Sequence, residues 1–196
     1  EAITGFQRQG GELIAFTAGH NQILTHLVVV GTGVTPQTDL ADAAGIEIGN
    51  GIEVDEYGRT TEQHVWAAGD VAEFPALALG RRMRVEHWEH AREHGRAVGA
   101  NMAGARVPYA HLPMFYSDFF DLGWEAVGEC ESGLDVHAVW REPFRAGVLF
   151  YLHEDVIRGA LMWNVWGALD RARELIREGR ATTAAEREAL AAGLGG

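Results

Sequence analysis

The character of the sequence changes at Pro108, and this change constrains the fold more than any other feature. After Pro108 come four short segments, rich in aromatic and β-branched residues and separated by Gly, Asp or Glu: LGWEAVGE, DVHAVW, GVLFYL and VIRGALMW. Such segments are typical of an antiparallel sheet. A helix is predicted through ALDRARELIRE, and a short terminal helix begins at the capping box formed by Thr183 and Glu186.

The sequence before Pro108 mixes strands with helices. Residues 12–30 predict two strands, ELIAFTA and NQILTHLVVV, and the run LVVV is typical of a strand covered on both faces. A short helix, DLADAAG, is predicted to stop at Gly45. The segment IEIGNGIEVD predicts two strands joined at Gly-Asn-Gly. The extended run TTEQHVWAAGD is then predicted to end as a strand on Asp70.

The longest helix is predicted over residues 85–103, ending at Gly104. Apolar or small residues recur there at three- and four-residue spacing, which predicts the buried face of the helix. This predicted stripe consists of Val85, Trp88, Ala91, Gly95, Val98 and Met102.

Composition limits the classes of function. A net charge of −12 over 196 residues argues against nucleic acid or an anionic membrane surface as the main partner. No apolar run approaches the roughly 20 residues of a membrane span. Cys130 is the only cysteine, so an internal disulfide and a CxxC pair are excluded, and a cytoplasmic location is expected.

Four segments follow one another in a characteristic order: VVVGTGVTP, GIEVDEYGRTTEQHVWAAGD, RRMRVEHWEHAREHGRAVGANMAG with MFYSDF, and GVLFYLHEDVIRGALMWNVWGALDRARELI. This order resembles the C-terminal half of the flavoprotein reductases with two dinucleotide-binding folds. The chain is most similar to oxidoreductases of the apoptosis-inducing-factor type, and bacterial ferredoxin reductases are a step further away. Neither GxGxxG motif of such enzymes is present.

This resemblance implies a fold that combines α/β and α+β parts. Residues 1–34 would be the tail of an NAD(P)-binding domain. Residues 35–105 would be the C-terminal segment of an FAD-binding, Rossmann-like domain. Residues 106–196 would form a C-terminal α+β domain of the interface or dimerisation type, an antiparallel sheet with helices.

The resemblance also implies which residues face FAD. Asp70 would accept a hydrogen bond from a ribitol hydroxyl, and Gly69 would allow close backbone approach. Glu86, His87 and Trp88 begin the long helix, whose N-terminus would stabilise negative charge on the reduced flavin.

Three further positions follow from the same resemblance. Phe115 and Tyr116 stand where the family sets an aromatic ring beside the flavin, with Tyr116 in the place of the common Trp. Gly33 matches the glycine that lets the nicotinamide approach the backbone, and Glu86 and His87 would border the nicotinamide as well. Core packing and ordinary turn roles are the alternatives for each of these residues.

The histidines of the long helix suggest another function. His87, His90 and His94 lie on one predicted helix face and could bind zinc. Three ligands from one helix rarely converge on one ion, so polar or cofactor-edge histidines are the preferred interpretation.

We therefore expect an FAD-dependent NAD(P)H oxidoreductase, of which this chain is about the C-terminal half. Hydride would pass from the nicotinamide nucleotide to the flavin, and the electrons would go on to a ferredoxin, a quinone or oxygen. A homodimer is a further option within the family. The alternatives are a non-catalytic fragment that acts as an interaction or dimerisation module, and a zinc-binding protein.

Overall fold

The computed structural model describes residues 1–194 and divides the chain into two units, Glu1–Thr35 and a second unit that begins at Pro36. The first unit is a three-stranded antiparallel sheet in the order β1-β2-β3. Its strands are β1 (Ile3–Gln9), β2 (Glu12–Thr17) and β3 (Gln22–Thr25). The predicted strand ELIAFTA is confirmed as β2.

The prediction of a buried LVVV strand is wrong. Strand β3 ends at Thr25, and residues 27–30 have no regular structure. Val29 is 86% exposed and Val30 is 69% exposed. A strand needs a hydrogen-bonded neighbour, and no described residue pairs with this run, so its apolar character alone does not make it a strand.

The second unit begins with α1 (Asp39–Ala43), and Gly45 follows in the left-handed region with φ of 77°. The predicted short helix and its stop are therefore confirmed. The predicted hairpin at Gly-Asn-Gly is present only as a single antiparallel bridge between Ile48 and Ile52. Strand β4 (Ile52–Glu53) instead pairs in parallel with β5 (Ala72–Ala76), which pairs antiparallel with β6 (Arg81–Met83).

The prediction that a strand ends on Asp70 is also wrong. Residues 60–68 form a loop that is closed by a bridge between Arg59 and Trp66, and Gly69–Val71 is a short 3-10 turn that precedes β5. Asp70 therefore lies at the entrance of a strand, on a turn, and not at the end of one.

The long helix is present as α2 (Trp88–Met102), but its buried face matches the predicted one only in part: Val98 is buried as predicted, and the ends of the predicted stripe are exposed. Trp88 is 69% exposed and Met102 is 62% exposed. The residues that are buried on α2 are His90, His94, Val98 and Asn101. Imidazole and amide groups thus occupy core positions of this helix.

The antiparallel sheet after Pro108 is confirmed. Five strands pair in the order β7-β8-β11-β10-β9. They are β7 (Met114–Phe119), β8 (Leu122–Gly128), β9 (Asp135–Glu142), β10 (Ala146–His153) and β11 (Val156–Trp163).

Both predicted C-terminal helices are confirmed and cover this sheet. Helix α3 (Leu169–Glu178) packs on β8 and β11, and α4 (Ala184–Gly193) packs on β9 and β10. The capping box of Thr183 and Glu186 begins α4 as predicted. The core is continuous from Phe74 on β5 to Phe150 and Met162 in the sheet. The three-part domain division at residues 34 and 105 stays a prediction.

Candidate functional site

The Gly69–Asp70 turn presents a free carboxylate at the surface. Gly69 is buried with φ of 73°, and a Cβ placed on it would lie 3.5 Å from the Cβ of Ala91, so the turn packs directly on α2. The Asp70 side chain is exposed, and within residues 1–194 its carboxylate accepts no hydrogen bond. A carboxylate in this position is available to a ligand.

Arg84 ties this turn to the residues before α2. Its Nη1 donates to the backbone oxygen of Asp70 at 3.1 Å and to Oε1 of Glu86 at 2.5 Å. The Arg84 side chain is only 11% exposed. Asp70 and Glu86 are thereby held at the same part of the surface.

The N-terminus of α2 lies beside this surface. His87 is the N-cap, and its Nδ1 accepts a hydrogen bond of 3.4 Å from the backbone N–H of Glu89. Trp88 points to solvent with the Arg92 guanidinium 4.6 Å from its ring centroid. Unpaired N–H groups and the positive end of the dipole at such a terminus favour anionic groups.

Of the two predicted aromatic residues, the structure brings only Tyr116 to the helix terminus. Its ring meets His87 edge-on with centroids 5.5 Å apart, and it is 54% exposed. Phe115 is half-buried and packs edge-on against Trp124 at 6.0 Å. Alternate residues of a strand point to opposite faces, so one of the pair faces the candidate site and the other packs within the protein.

Glu89, in the first turn of α2, belongs to an ion-paired cluster that the sequence did not indicate. Oε1 of Glu89 lies 2.5 Å from Nε2 of His111 and 3.2 Å from Nη2 of Arg173. Burial raises the pKa of Glu89, but the hydrogen bond from His111 and the charges of His111 and Arg173 outweigh it, so the pKa is lowered overall. The carboxylate thus stays charged and joins α2 to α3. An acidic residue in a first helical turn is the only sequence signal for it, and that signal names no partner.

Gly33 lies in the first unit with φ of 82°, and nothing is within 4 Å of where its Cβ would be. Its geometry allows the close backbone approach that the resemblance implies. Its part in a nicotinamide site stays a prediction.

The histidines do not form a metal site. Within the described part of the chain, no group of three His, Cys, Asp or Glu side chains is placed to hold a metal ion. His87 caps the helix at the surface, whereas His90 and His94 are fully buried. The zinc interpretation is not favoured. No helix within residues 1–194 is long and apolar enough to cross a bilayer.

Comparison with known protein families accounts for most of the chain. Residues 1–95 match the family "Pyridine nucleotide-disulphide oxidoreductase". Residues 98–143 and 140–178 match "Apoptosis-inducing factor, mitochondrion-associated, C-term". Most of the chain is therefore similar to the pyridine nucleotide-disulphide oxidoreductases and to the proteins related to them. Within them, the part from residue 98 is similar to the C-terminal domain of apoptosis-inducing factors.

Individual relatives agree with this assignment. Apoptosis-inducing factor 1, mitochondrial, of Dictyostelium discoideum is 35% identical over 80% of this chain and 32% of its own length. The ferredoxin–NAD(+) reductase component of the anthranilate 1,2-dioxygenase system of Burkholderia cepacia is 38% identical over 87% of this chain and 42% of its own. The chain thus spans about a third to two fifths of these relatives.

Solved structures show the same fold. A ferredoxin reductase from Rhodopseudomonas palustris has a TM-score of 0.83 and 29% identity over 94% of this chain and 46% of its own. The covalent complex of putidaredoxin reductase with putidaredoxin has a TM-score of 0.78 and 25% identity over 91% of this chain and 43% of the other.

Proposed function

We propose that the intact protein is an FAD-dependent NAD(P)H oxidoreductase, and that this chain supplies its C-terminal portion. The observation that carries the proposal is the position of the exposed Asp70 carboxylate, which accepts no hydrogen bond within residues 1–194, on a turn that packs against α2 at Ala91. Buried Gly69 leaves no side chain between the two. These residues fit the part of FAD that joins its ribitol to the flavin ring.

Each residue has a distinct part in this proposal. Asp70 accepts a hydrogen bond from a ribitol hydroxyl. The first turn of α2, from His87 and Trp88, directs the positive end of its dipole at the flavin. Tyr116 borders the ring with an aromatic face, while Phe115 supports β7 from within. When bound, FAD supplies the redox chemistry by taking hydride from the nicotinamide and passing electrons on.

Glu86 and His87 border the nicotinamide in this proposal. Glu86 is held beside Asp70 by Arg84, and His87 lies next to it in sequence. Both are exposed or half-exposed and could border a second ligand. At Gly33, in the first unit, the resemblance supports close approach of the nicotinamide to the backbone.

We propose a ferredoxin as the electron acceptor, in preference to a quinone or oxygen. This choice is supported by two similar proteins, a ferredoxin–NAD(+) reductase component and a putidaredoxin reductase in complex with putidaredoxin. A homodimer and a cytoplasmic location remain parts of the proposal, and the Dictyostelium relative is named as mitochondrial. An interaction module without flavin is not favoured.

The test is the visible absorption spectrum of the purified intact protein before and after addition of FAD and then NADH. We expect flavin bands that bleach with NADH. Asp70→Ala should weaken FAD binding by about tenfold or more, since a hydrogen bond to a charged group is worth about 1.5–3 kcal/mol. Asp135→Ala, at the exposed start of β9, is the control and should leave FAD binding unchanged.

If the intact protein folds but takes up no FAD, the proposal is contradicted. The alternative function, a non-catalytic interaction module, would then be favoured. FAD binding that is equally tight in Asp70→Ala would contradict the role of Asp70 alone.

A further inference from the structure

Two histidines of α2 are buried in the core and have no part in the function proposed above. His90 and His94 are both 0% exposed. Phe74 stacks on His90 with ring centroids 4.8 Å apart, and Tyr109 stacks on His94 at 4.5 Å. The two imidazoles are therefore clamped between aromatic rings from β5 and from the segment after α2.

His94 makes one specific polar contact, and it is to the Gly69–Asp70 turn. The backbone N–H of Gly69 donates to Nδ1 of His94 at 3.3 Å. Gly69 is the first residue of its 3-10 turn, so its N–H has no acceptor within the turn. Because Gly69 is buried, water does not replace this acceptor, and the side chain of His94 provides it.

This contact has a cost that indicates its importance. An acceptor at Nδ1 requires the neutral tautomer with its proton on Nε2. Nε2 of His94 is buried and has no hydrogen-bond partner in the described part of the chain. An apolar side chain would fill the same space without an unsatisfied donor. The benefit of the imidazole over such a residue is the Nδ1 acceptor for Gly69.

His90 provides a comparison within the same cluster. Its Nδ1 lies 3.2 Å from the hydroxyl of Tyr109 and contacts no backbone group of the Gly69–Asp70 turn. Its Nε2 is also buried without a partner within residues 1–194. The two histidines thus match in burial and in unsatisfied atoms, and only His94 reaches the turn.

We propose that His94 is a positioning residue for the flavin site, a neutral imidazole whose Nδ1 holds the Gly69 N–H and thereby fixes the turn that carries Asp70. This inference rests on the proposed function. His94 contacts no ligand itself and acts through Gly69. Phe74 and Tyr109 keep its ring in the orientation that the hydrogen bond requires.

Three variants test the proposal: His94→Leu, His94→Gln and His90→Leu. The readouts are hydrogen exchange of the Gly69 amide by NMR and the FAD dissociation constant. His94→Leu should accelerate Gly69 exchange and weaken FAD binding, each by roughly tenfold, which corresponds to one lost hydrogen bond. His94→Gln, whose carboxamide oxygen accepts, should restore both to within about threefold. His90→Leu should leave both near the wild-type values.

Several outcomes would overturn the proposal. Unchanged Gly69 exchange in a folded His94→Leu protein is one, and failure of His94→Gln to rescue is another. If His94→Leu does not fold, nitrogen NMR of the wild-type protein still decides, because a proton on Nδ1 of His94 at neutral pH is incompatible with it. If the wild-type protein takes up no FAD, the proposed function fails, whereas Gly69 exchange still reports whether His94 holds the turn.

Discussion

At the scale of single residues, the buried imidazoles make the molecule sensitive to acid. Burial lowers the pKa of His90 to about 4, although the charges of Glu89 and Asp70 act in the opposite direction. Burial also lowers the pKa of His94 to about 3, and the neighbouring His90 adds to this. The charges of His111 and His87 further disfavour protonation of His90.

Stability should therefore fall as the pH drops below about 6.5, the ordinary pKa of histidine. Between that value and the lowered folded-state pKa values, the unfolded chain binds more protons than the folded chain, so acid favours unfolding. Each histidine costs up to about 1.4 kcal/mol per pH unit in this window. Urea unfolding between pH 7.5 and 5 measures this slope, before most carboxylates titrate.

The double variant His90→Phe with His94→Leu is the control for this slope. Its stability should vary much less between pH 7.5 and 5. A slope that is equal in both proteins would show that other groups are responsible.

The sequence predicted which residues lie near one another better than it predicted their environments. Asp70, Glu86, His87 and Tyr116 lie at one part of the surface, and their roles toward FAD stay a prediction. The burial of His90 and His94 could not be predicted, because imidazoles count as polar when a helix face is assigned from its apolar residues. Exposed Trp88 misled that assignment in the other direction.

At the scale of elements, one buried carboxylate joins the β5–β6 hairpin to the five-stranded sheet. Glu129 follows β8 and is 5% exposed. Its Oε1 receives a hydrogen bond of 2.5 Å from Arg81, and its Oε2 one of 2.7 Å from Arg158. The Arg158 guanidinium also donates to the backbone oxygen of Leu79 at 2.5 Å.

Glu129→Ala should destabilise the protein by about 3 kcal/mol, because it leaves the partly buried Arg158 without its counter-charge. Chemical denaturation of wild type and variant measures the difference in unfolding free energy. Glu131→Ala is the matched control, since Glu131 is exposed and, within residues 1–194, its carboxylate bonds only to Arg81, at 3.0 Å. If Glu131→Ala lowered the unfolding free energy as much as Glu129→Ala, burial of the Glu129 carboxylate would not explain the loss.

Strands β8 and β11 approach closely through a pair of glycines. Gly159 is paired with Gly128, and a Cβ on Gly159 would lie 2.6 Å from the carbonyl carbon of Glu129. Gly159→Ala should therefore force the strands apart and lower the unfolding free energy by about 1–3 kcal/mol. The loss should lie at or above the upper end of this range, because the atoms in the way belong to the backbone. Thermal unfolding checks this, with Gly133→Ala as a control at a position with open space.

Elements that are specified locally were predicted well. The strands after Pro108 and the capping box of Thr183 depend on alternation and on a cap within a few residues. The segment LVVV and the run before Asp70 were predicted wrongly, because whether an apolar run becomes a strand depends on a neighbour that the run does not encode.

At the scale of the whole molecule, the continuous hydrophobic core lies entirely within the unit that begins at Pro36, since its members run from Val54 to Leu194. The first unit instead carries exposed apolar side chains at Leu27, Val29 and Val30. Such a patch favours association with other apolar surfaces.

Removal of residues 1–35 should therefore leave a folded protein with a melting temperature within about 4 °C of the parent, which corresponds to about 1 kcal/mol at this size. The shortened protein should also self-associate less. Differential scanning calorimetry and sedimentation velocity measure the two effects. A loss of cooperative unfolding would contradict the assignment of the core.

The order of motifs along the chain predicted the family resemblance, because this order can be read directly from the sequence, whereas contacts between distant residues cannot. The link from Glu129 to Arg81 and Arg158 was not predictable, since about 30 to 50 residues separate these partners and no local pattern joins them.

That link has an evolutionary consequence. One carboxylate pairs with two guanidinium groups from different parts of the fold, so the three positions cannot change independently. A lineage that loses the acid at 129 should lose the cation at 158 in the same interval, and relatives should carry the whole trio or an apolar replacement of it. Arg81, which has Glu131 as a second partner, should be the member that varies first.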